Sequence, residues 1–193
     1  MGGRGQLFNL PPRGHTCAGD GILAAVRTAC LAILAGLSLA ALPARAEEPP
    51  PWQAGDHLAP FELADQHDQP GRVDESVRLL LFTADMDAGD LVKAALEAEP
   101  KLQDLAAHGA VWVSDIHRMP AVITRLFALP SMRRRPYRML LDREPGPSAR
   151  IPREEGKVTL VVLDALEVRS IAFADSAESV AAALKGDGAQ RTN

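Results

Sequence analysis

Short apolar runs and helix-like apolar spacing alternate along the chain. Residues 79–82 (LLLF) and 110–113 (AVWV) are unbroken apolar runs, which are typical of strands covered on both faces of a sheet. Between them, apolar residues recur at helical spacing over 91–98. Asp87 or Asp90 is predicted to cap the N-terminus of that helix, because a short carboxylate satisfies free amide groups there. The stretch therefore predicts a β-α-β unit.

Two further helices are predicted around the second apolar run. Residues 100–108 precede it and end at Gly109, a residue type that tolerates positive φ. Residues 120–129 follow it with an amphipathic pattern, and Pro130 is expected to stop that helix. Its apolar side is predicted to comprise Val122, Ile123, Leu126, Phe127 and Leu129.

Turn-rich segments separate these elements from other β patterns. Residues 58–63 alternate between apolar and polar types and predict an edge strand, where Pro60 is tolerable. Residues 65–71 (DQHDQPG) are predicted to form a turn, and 142–156 a loop rich in Pro, Gly and charge. Residues 137–141 read as a further strand.

The C-terminal part predicts a hairpin and a helix. Residues 158–163 and 168–173 are β-rich runs on either side of a short polar turn. A last helix, 176–184, follows with Ser176 as its N-cap. Alternating βαβ units followed by a terminal hairpin and helix predict an α/β layered sheet with helices on both faces.

The N-terminal region carries a predicted export signal. Residues 29–42 are a continuous run of apolar and small residues, preceded by Arg27 and followed by Ala44-Arg45-Ala46. The run is shorter than the roughly 20 residues that a membrane-spanning helix needs. Residues 1–46 are therefore predicted to be a signal peptide cleaved after Ala46, the alternative being an uncleaved anchor. A start at Val26 would give a compact signal, so residues 1–25 are interpreted as a mis-assigned start.

The predicted mature chain is acidic and free of cysteine. Residues 1–46 contain four arginines and one aspartate of the 21 basic and 25 acidic residues, which leaves a net charge of −7. An acidic surface argues against nucleic acid. Both cysteines, Cys17 and Cys30, leave with the signal, so neither disulfides nor thiol chemistry are expected in the periplasmic or secreted product. A proline-rich leader (47–57), one domain (58–185) and a disordered tail (186–193) are predicted.

Three segments resemble the thioredoxin-like superfamily, in particular its secreted thioredoxin- and peroxiredoxin-like branch. They are GDHLAPFEL at 55–63, LLLFTADMDAGDLV at 79–92 and VTLVVLDALEVRSIAF at 158–173. The resemblance covers roughly residues 55–184 and implies a thioredoxin-like sheet. In that family, the loop after the first βαβ strand carries a C-x-x-C motif or a peroxidatic cysteine, and here it reads TADMDAG. The family's cis-proline position holds 157–159 (KVT), so the residues of the thiol site do not carry over.

A divalent-cation site is the first candidate for chemistry. Asp85 and Asp87 follow one central strand, and Asp115 and His117 follow the next. Ligands of open α/β sheets bind at the carboxyl ends of strands, and carboxylates suit a hard cation. If the strands are neighbours, these side chains are expected to converge. The alternative is that the aspartates cap helices and lie in solvated loops.

A copper site is the softer variant of this hypothesis. Met86, His117 and Met119 supply thioether and imidazole groups, which are ligands for Cu(I). The alternative is that both methionines fill gaps in the core, as methionine commonly does.

The only basic cluster in the sequence is a candidate anion or partner patch. It comprises Arg133, Arg134, Arg135 and Arg138. Arginine clusters bind carboxylates and lipid headgroups. The alternative is that these arginines satisfy the terminal carbonyls of the preceding helix and its dipole.

The expected function is that of a binding or interaction module without thiol redox activity. The segment 114–142 is also similar to small secreted bacterial proteins, some of which carry a flavin-dehydrogenase label. No G-x-G-x-x-G or P-loop motif supports that label here. The expected partner is a protein or small ligand in the periplasm, with no membrane contact after signal cleavage. No cofactor is expected, and the metal-dependent alternative would need a divalent cation.

Overall fold

The computed structural model describes residues 49–144 and 146–186. The predicted signal peptide, 1–46, and residues 187–193 of the predicted tail lie outside the described residues. Among those described, no helix has the length and apolar character that a membrane crossing requires.

Seven strands form one mixed sheet in the order β2-β1-β5-β4-β3-β6-β7. Strands β3, β4 and β5 run parallel, with β3 pairing to β4 from Leu79–Ala110 to Thr83–Ser114. Strand β6 is antiparallel to β3 and forms a hairpin with β7. The bounds of the strands are β1 Phe61–Asp65, β2 Pro70–Val73, β3 Leu79–Thr83, β4 Ala110–Asp115, β5 Leu140–Asp142, β6 Val158–Asp164 and β7 Glu167–Ala174.

Three helical segments connect or follow these strands. Helix α1, Met86–Ala98, joins β3 to β4 and is followed by 3-10 turns at Pro100–Leu102 and Ala106–His108. Segment α2 is continuous but irregular, with α-helical Ala121–Ile123, π-helical Thr124–Ala128 and α-helical Leu129–Met132. Helix α3, Ala177–Leu184, ends the domain, and a 3-10 turn spans Pro147–Arg150.

Strand β3 divides the core between the two faces of the sheet. All five of its residues are buried, and alternate side chains point to opposite faces. Leu79 and Leu81 pack with α1 and α3 in one apolar cluster. Leu80 and Phe82 pack in the other. The two-sided burial predicted for this strand is confirmed.

The α/β layered sheet is confirmed, but the helices are not distributed over both faces as predicted. Buried residues of α1 and α3, and the partly buried Leu129 and Met132 of α2, belong to the same cluster. The opposite face is closed by Trp52, Leu58 and residues of the loop and hairpin, including Ile151 and Leu166. Within residues 49–144 and 146–186, loop segments and the hairpin turn, rather than an α-helix, therefore cover that face.

The predicted leader contributes to this second core. Its backbone is irregular and mostly exposed, as expected, but Trp52 is buried and its amide donates to the carbonyl of Arg150 at 2.8 Å. The amide of Gly55 donates to the carbonyl of Val168 at 2.8 Å. One aromatic side chain and a few backbone bonds thus attach the leader to the domain.

Four local predictions were wrong. Strand β1 is not at the edge, because β2, which begins within the predicted turn 65–71, pairs outside it. The N-cap of α1 is Asp85, not Asp87 or Asp90. Residues 100–108 form two 3-10 turns rather than one helix. Segment α2 passes through Pro130, and its π-helical turn precedes that proline. The wider turn accommodates a residue that lacks a backbone N–H.

Candidate functional site

The carboxyl ends of β3, β4 and β5 lie at one edge of the sheet. Because the strands are parallel neighbours, Asp115 at the end of β4 pairs in register with Asp142 at the end of β5. Asp85 follows β3 directly and begins α1. The strands are neighbours, as the cation hypothesis required, and Asp142 is a carboxylate at this edge that the sequence reasoning did not consider.

The predicted metal ligands at this edge are engaged with other groups. The Asp85 carboxylate accepts from the Ala88 amide at 2.8 Å and from the Gly156 amide at 3.0 Å. Asp87 is exposed in the first turn of α1. Within 49–144 and 146–186 there is no group of three or more His, Cys, Asp or Glu side chains that could hold a metal ion. Cation binding by these residues stays a prediction without a formed cluster to carry it.

Asp115 and His117 are brought together, but with an arginine as the third member. The Asp115 carboxylate lies 2.5 Å from Nδ1 of His117 and 2.9 Å from Nη1 of Arg153. The side chain of Asp115 is only 1% exposed, so the Arg153 guanidinium balances the charge of a buried carboxylate and the His117 ring adds a hydrogen bond. Arg153 also lies over the Phe82 ring, 5.2 Å from its centroid. Arg153, which comes from the distant loop before β6, was not among the residues predicted for this site.

A cavity of about 450 Å³ lies beside this polar group, between the end of β5 and the loop that follows. Ser148, which is buried, donates to the Asp142 carboxylate from one side of the cavity. Arg153 donates to the Ser148 carbonyl at 3.2 Å. These bonds join the loop to the sheet edge, so they account structurally for the polar groups around the cavity. Its lining includes Pro51, His117, Arg118, Asp142, Ser148 and Arg153.

A second cavity at the same edge, of about 430 Å³, has a different character. We call it the methionine pocket, because Met86, Met119, Met132 and Met139 all line it. These are all the methionines of the sequence after Met1. Trp112 and Ile116 form part of its apolar wall, and the charged residues of its lining are Asp85, Asp90, Lys93, Asp115, Arg118 and Arg135.

The pocket lies where β3 passes into α1. Met86 is the first residue of α1 and is 72% exposed, whereas Met139 is only 3% exposed and belongs to the core. Met119, Ala128 and Met132 close the pocket from the segment after β4. One wall is thus fixed by the core, and the other consists of exposed or partly exposed side chains.

The copper hypothesis is only partly reflected in this geometry. Met86 and Met119 share the methionine pocket, but His117 lines the neighbouring cavity and its Nδ1 faces Asp115. The pocket adds Met132 and Met139, which the sequence reasoning did not include. Met132 ends α2 and Met139 directly precedes β5, and no periodic pattern in the sequence groups these two residues.

Most of the predicted arginine patch is paired with acidic side chains. Arg133 lies 2.7 Å from the Asp68 carboxylate and also donates to the Gln66 carbonyl at 2.7 Å. Arg138 lies 2.8 Å from Asp65, and Arg135 pairs with Glu97. Three of the four arginines therefore bind other parts of the domain, rather than the terminal carbonyls of the preceding helix. Arg134 is exposed.

Other cavities lie away from this edge. One of about 630 Å³ lies beside Gly109 and Ala110 at the start of β4, and its lining includes Gly71 and Leu105. Binding sites of open α/β sheets occur at the carboxyl ends of strands. Position and apolar lining together make the methionine pocket the candidate site.

The connections of the sheet define the class of the fold. A β3-α1-β4 unit, an antiparallel β6-β7 hairpin beside β3 and a C-terminal helix give the arrangement of a thioredoxin-like domain. The fold inferred from the sequence is confirmed.

Several solved structures are similar to this chain at low sequence identity. The peroxidoxin BcpB from Mycobacterium tuberculosis is 22% identical, with 72% of this chain and 99% of that chain covered at a TM-score of 0.45. A peroxiredoxin-like protein from Aquifex aeolicus is 12% identical, with coverages of 72% and 90% and a TM-score of 0.47. A thio-disulfide isomerase from Thermus thermophilus is 18% identical, with coverages of 71% and 98% and a TM-score of 0.43. No protein-family model and no curated protein sequence matches the chain.

Proposed function

We propose that the chain is an exported thioredoxin-like domain without thiol redox activity, and that it acts as a binding module through the methionine pocket. The observation that carries this proposal is the pocket itself. It lies at the β3-α1 junction, where the resemblance would put the reactive thiols, and residues 47–193 contain no cysteine. A thiolate is the nucleophile of disulfide exchange and of peroxide reduction, so neither reaction has a nucleophile here.

A cavity with a methionine-rich apolar wall and charged groups in its lining suits the binding of a ligand. Ligand sites are mostly apolar concave surfaces in which a small number of polar groups fix orientation. Methionine is common at surfaces that adapt to apolar partners, because its side chain is unbranched and polarizable. The exposed Met86 at the mouth and the buried Met139 at the base give the pocket both an adaptable and a fixed part.

Thiol activity is tested by comparing the full chain with its Cys17→Ser/Cys30→Ser variant in insulin-reduction and peroxide-consumption assays. Neither protein should show activity above the uncatalysed rate. Activity that disappears in the serine variant would contradict the proposal.

Signal cleavage is tested by amino-terminal sequencing of the exported protein. The sequence should begin at Glu47, and an intact amino terminus would contradict cleavage after Ala46.

Binding is tested with the methyl groups of the pocket as reporters. The chain is labelled with ¹³C at the methionine methyl groups and observed by NMR in an unlabelled cell-envelope extract of its native host. Signals of Met86, Met119 and Met132, assigned by Met→Leu variants, should shift or broaden. Ala128→Trp fills the pocket and should abolish the response, while Ala54→Trp, at an exposed position away from it, should not. An unchanged spectrum, or one that changes equally in both tryptophan variants, would contradict the proposal.

A further inference from the structure

The amphipathic segment after β4 turns much of its apolar side to solvent. Sequence analysis predicted that this side would consist of five apolar residues, of which only Leu129 is partly buried against the core. The other four are 44–66% exposed. Monomeric proteins rarely expose contiguous apolar surface of this kind unless it has a binding role. We call these four residues the α2 apolar face: Val122, Ile123, Leu126 and Phe127.

The α2 segment borders the methionine pocket on its other side. Ala128, Ser131 and Met132 line the pocket, while Leu126 and Phe127, directly before them in the chain, are exposed. The pocket and the α2 apolar face are therefore presented by the same twelve-residue segment, 121–132. A ligand that fills the pocket can also cover the face.

The segment that presents this surface is basic, and the three aspartates that line the pocket are each bonded within the domain. Asp85 accepts from two backbone amides, Asp90 pairs with Lys93, and Asp115 contacts His117 and Arg153. Residues 116–141 contain six arginines and no Asp or Glu, although the predicted mature chain is acidic. Arg133, Arg135 and Arg138 form ion pairs with acidic groups elsewhere in the domain. Among the described residues, no ion pair is formed by Arg118, Arg125 or Arg134, and all three are exposed. Arg118 lines the pocket, and Arg125 lies within the exposed segment.

We propose that the methionine pocket and the α2 apolar face bind an acidic, apolar segment of a partner protein. One apolar side chain of that segment occupies the pocket, others cover Leu126 and Phe127, and carboxylates pair with Arg118 and Arg125. This inference rests on the proposed binding function and specifies its ligand. An anionic membrane surface has the same charge, but a bilayer is not shaped to insert a side chain into a concave cavity of about 430 Å³, so the pocket favours a peptide.

Three fluorescent synthetic peptides of equal length provide the test. The first combines Glu with Leu and Phe, the second replaces every Glu with Lys, and the third replaces every Leu and Phe of the first with Ser. Fluorescence anisotropy with the full chain should show that the first binds at least about tenfold more tightly than either of the others, because opposite charge and apolar burial are both required. Equal affinity for the acidic and basic peptides would overturn the proposal.

Exposed substitutions locate the binding surface. Phe127→Ser and Arg125→Glu should each weaken binding of the first peptide. Arg125→Glu should also reduce the ratio of the affinity for the acidic peptide to that for the basic peptide. Lys101→Glu makes the same charge change at an exposed position away from the pocket and should leave both affinities unchanged. If Lys101→Glu weakens binding as much as Arg125→Glu, only net charge is sensed and the proposal fails.

Phosphatidylglycerol vesicles test the membrane source of negative charge. The proposal predicts that the chain does not co-sediment with them at physiological ionic strength. If the chain co-sediments, if Phe127→Ser and Arg125→Glu both abolish this, and if the acidic peptide does not bind, the proposal is wrong. The surface would then bind a membrane rather than a partner segment. If no peptide binds while the methionine signals still respond in extract, this ligand class is wrong and the binding function stands.

Discussion

Asp65 is a buried carboxylate at the end of β1 that joins three parts of the chain. It accepts from the amides of His67 and Gln69 at 2.8 and 2.9 Å and from Nε of Arg138 at 2.8 Å. Burial by itself would raise the pKa of Asp65, but the two amides and the guanidinium more than offset that effect and lower it below the usual value of 3.8. The ionised form is therefore the form that stabilises the fold.

Replacing Asp65→Asn should lower the free energy of unfolding by about 1–3 kcal/mol at neutral pH, because buried hydrogen-bond partners lose a charged acceptor. A carboxyl with a depressed folded pKa stabilises above its unfolded pKa, and the contribution is lost as pH falls through the folded value. The difference in free energy of unfolding between wild type and variant should thus become smaller below about pH 3.8. Urea unfolding across pH measures it, with the exposed Glu75→Gln as control. A difference that does not change with pH would contradict this role.

At the scale of single elements, the start of α1 distinguishes Asp85, which caps the helix, from Asp87, one of the two residues predicted to cap it. Asp85→Ala should lower the free energy of unfolding by about 1 kcal/mol through loss of the N-cap. It also removes the bond to the Gly156 amide, which ties the helix start to the loop before β6. Asp87 lies two residues further along and is exposed, so Asp87→Ala should lower the free energy of unfolding by about 0.5 kcal/mol or less. Equal losses in urea unfolding would show that Asp85 is not the cap.

The elements that could be predicted were those whose local pattern and final environment agree. Strand β3, the β6-β7 hairpin and helix α3, with Ser176 accepting from the Ser179 amide, fall within a residue or so of their predicted bounds. Each has an apolar period that matches its burial, so the local and tertiary preferences coincide.

Strand β2 could not be predicted, because its first two residues are of types that commonly form turns. Pro70 and Gly71 favour a turn in isolation, but an edge strand tolerates a proline that donates no hydrogen bond. Gly71 is explained by packing, since a Cβ there would lie 2.2 Å from a methyl group of Leu140. That contact is between strands distant in sequence, and no local pattern reports it.

The candidate site was predictable only in its location. The rule that ligands bind at strand carboxyl ends placed it after β3 and β4. Which groups meet there depends on tertiary contacts: Arg153 reaches Asp115 from the loop before β6, and Met132 and Met139 join Met86 from separate elements. The exposed side of α2 was also beyond sequence reasoning, because amphipathic spacing indicates an apolar side without saying what covers it.

For the molecule as a whole, stability is expected to be independent of divalent metal. The Asp85 carboxylate accepts from two amides and that of Asp115 contacts His117 and Arg153, so groups of the domain already stabilise both carboxylates without a metal ion. A thermal melt of the full chain should give the same Tm with and without EDTA. A lower Tm in EDTA that added Ca²⁺ restores would contradict this and support the cation hypothesis, since a bound ligand stabilises by mass action.

The most direct test of the binding function is photo-crosslinking in the cell envelope of the native host. A photoreactive amino acid replaces Met86, which is exposed at the mouth of the pocket, or Glu75, which is exposed elsewhere. We predict a discrete adduct from position 86, none from position 75, and loss of the adduct when Ala128→Trp fills the pocket. No adduct at 86, or the same adduct from both positions, would contradict the claim that the methionine pocket is a binding site.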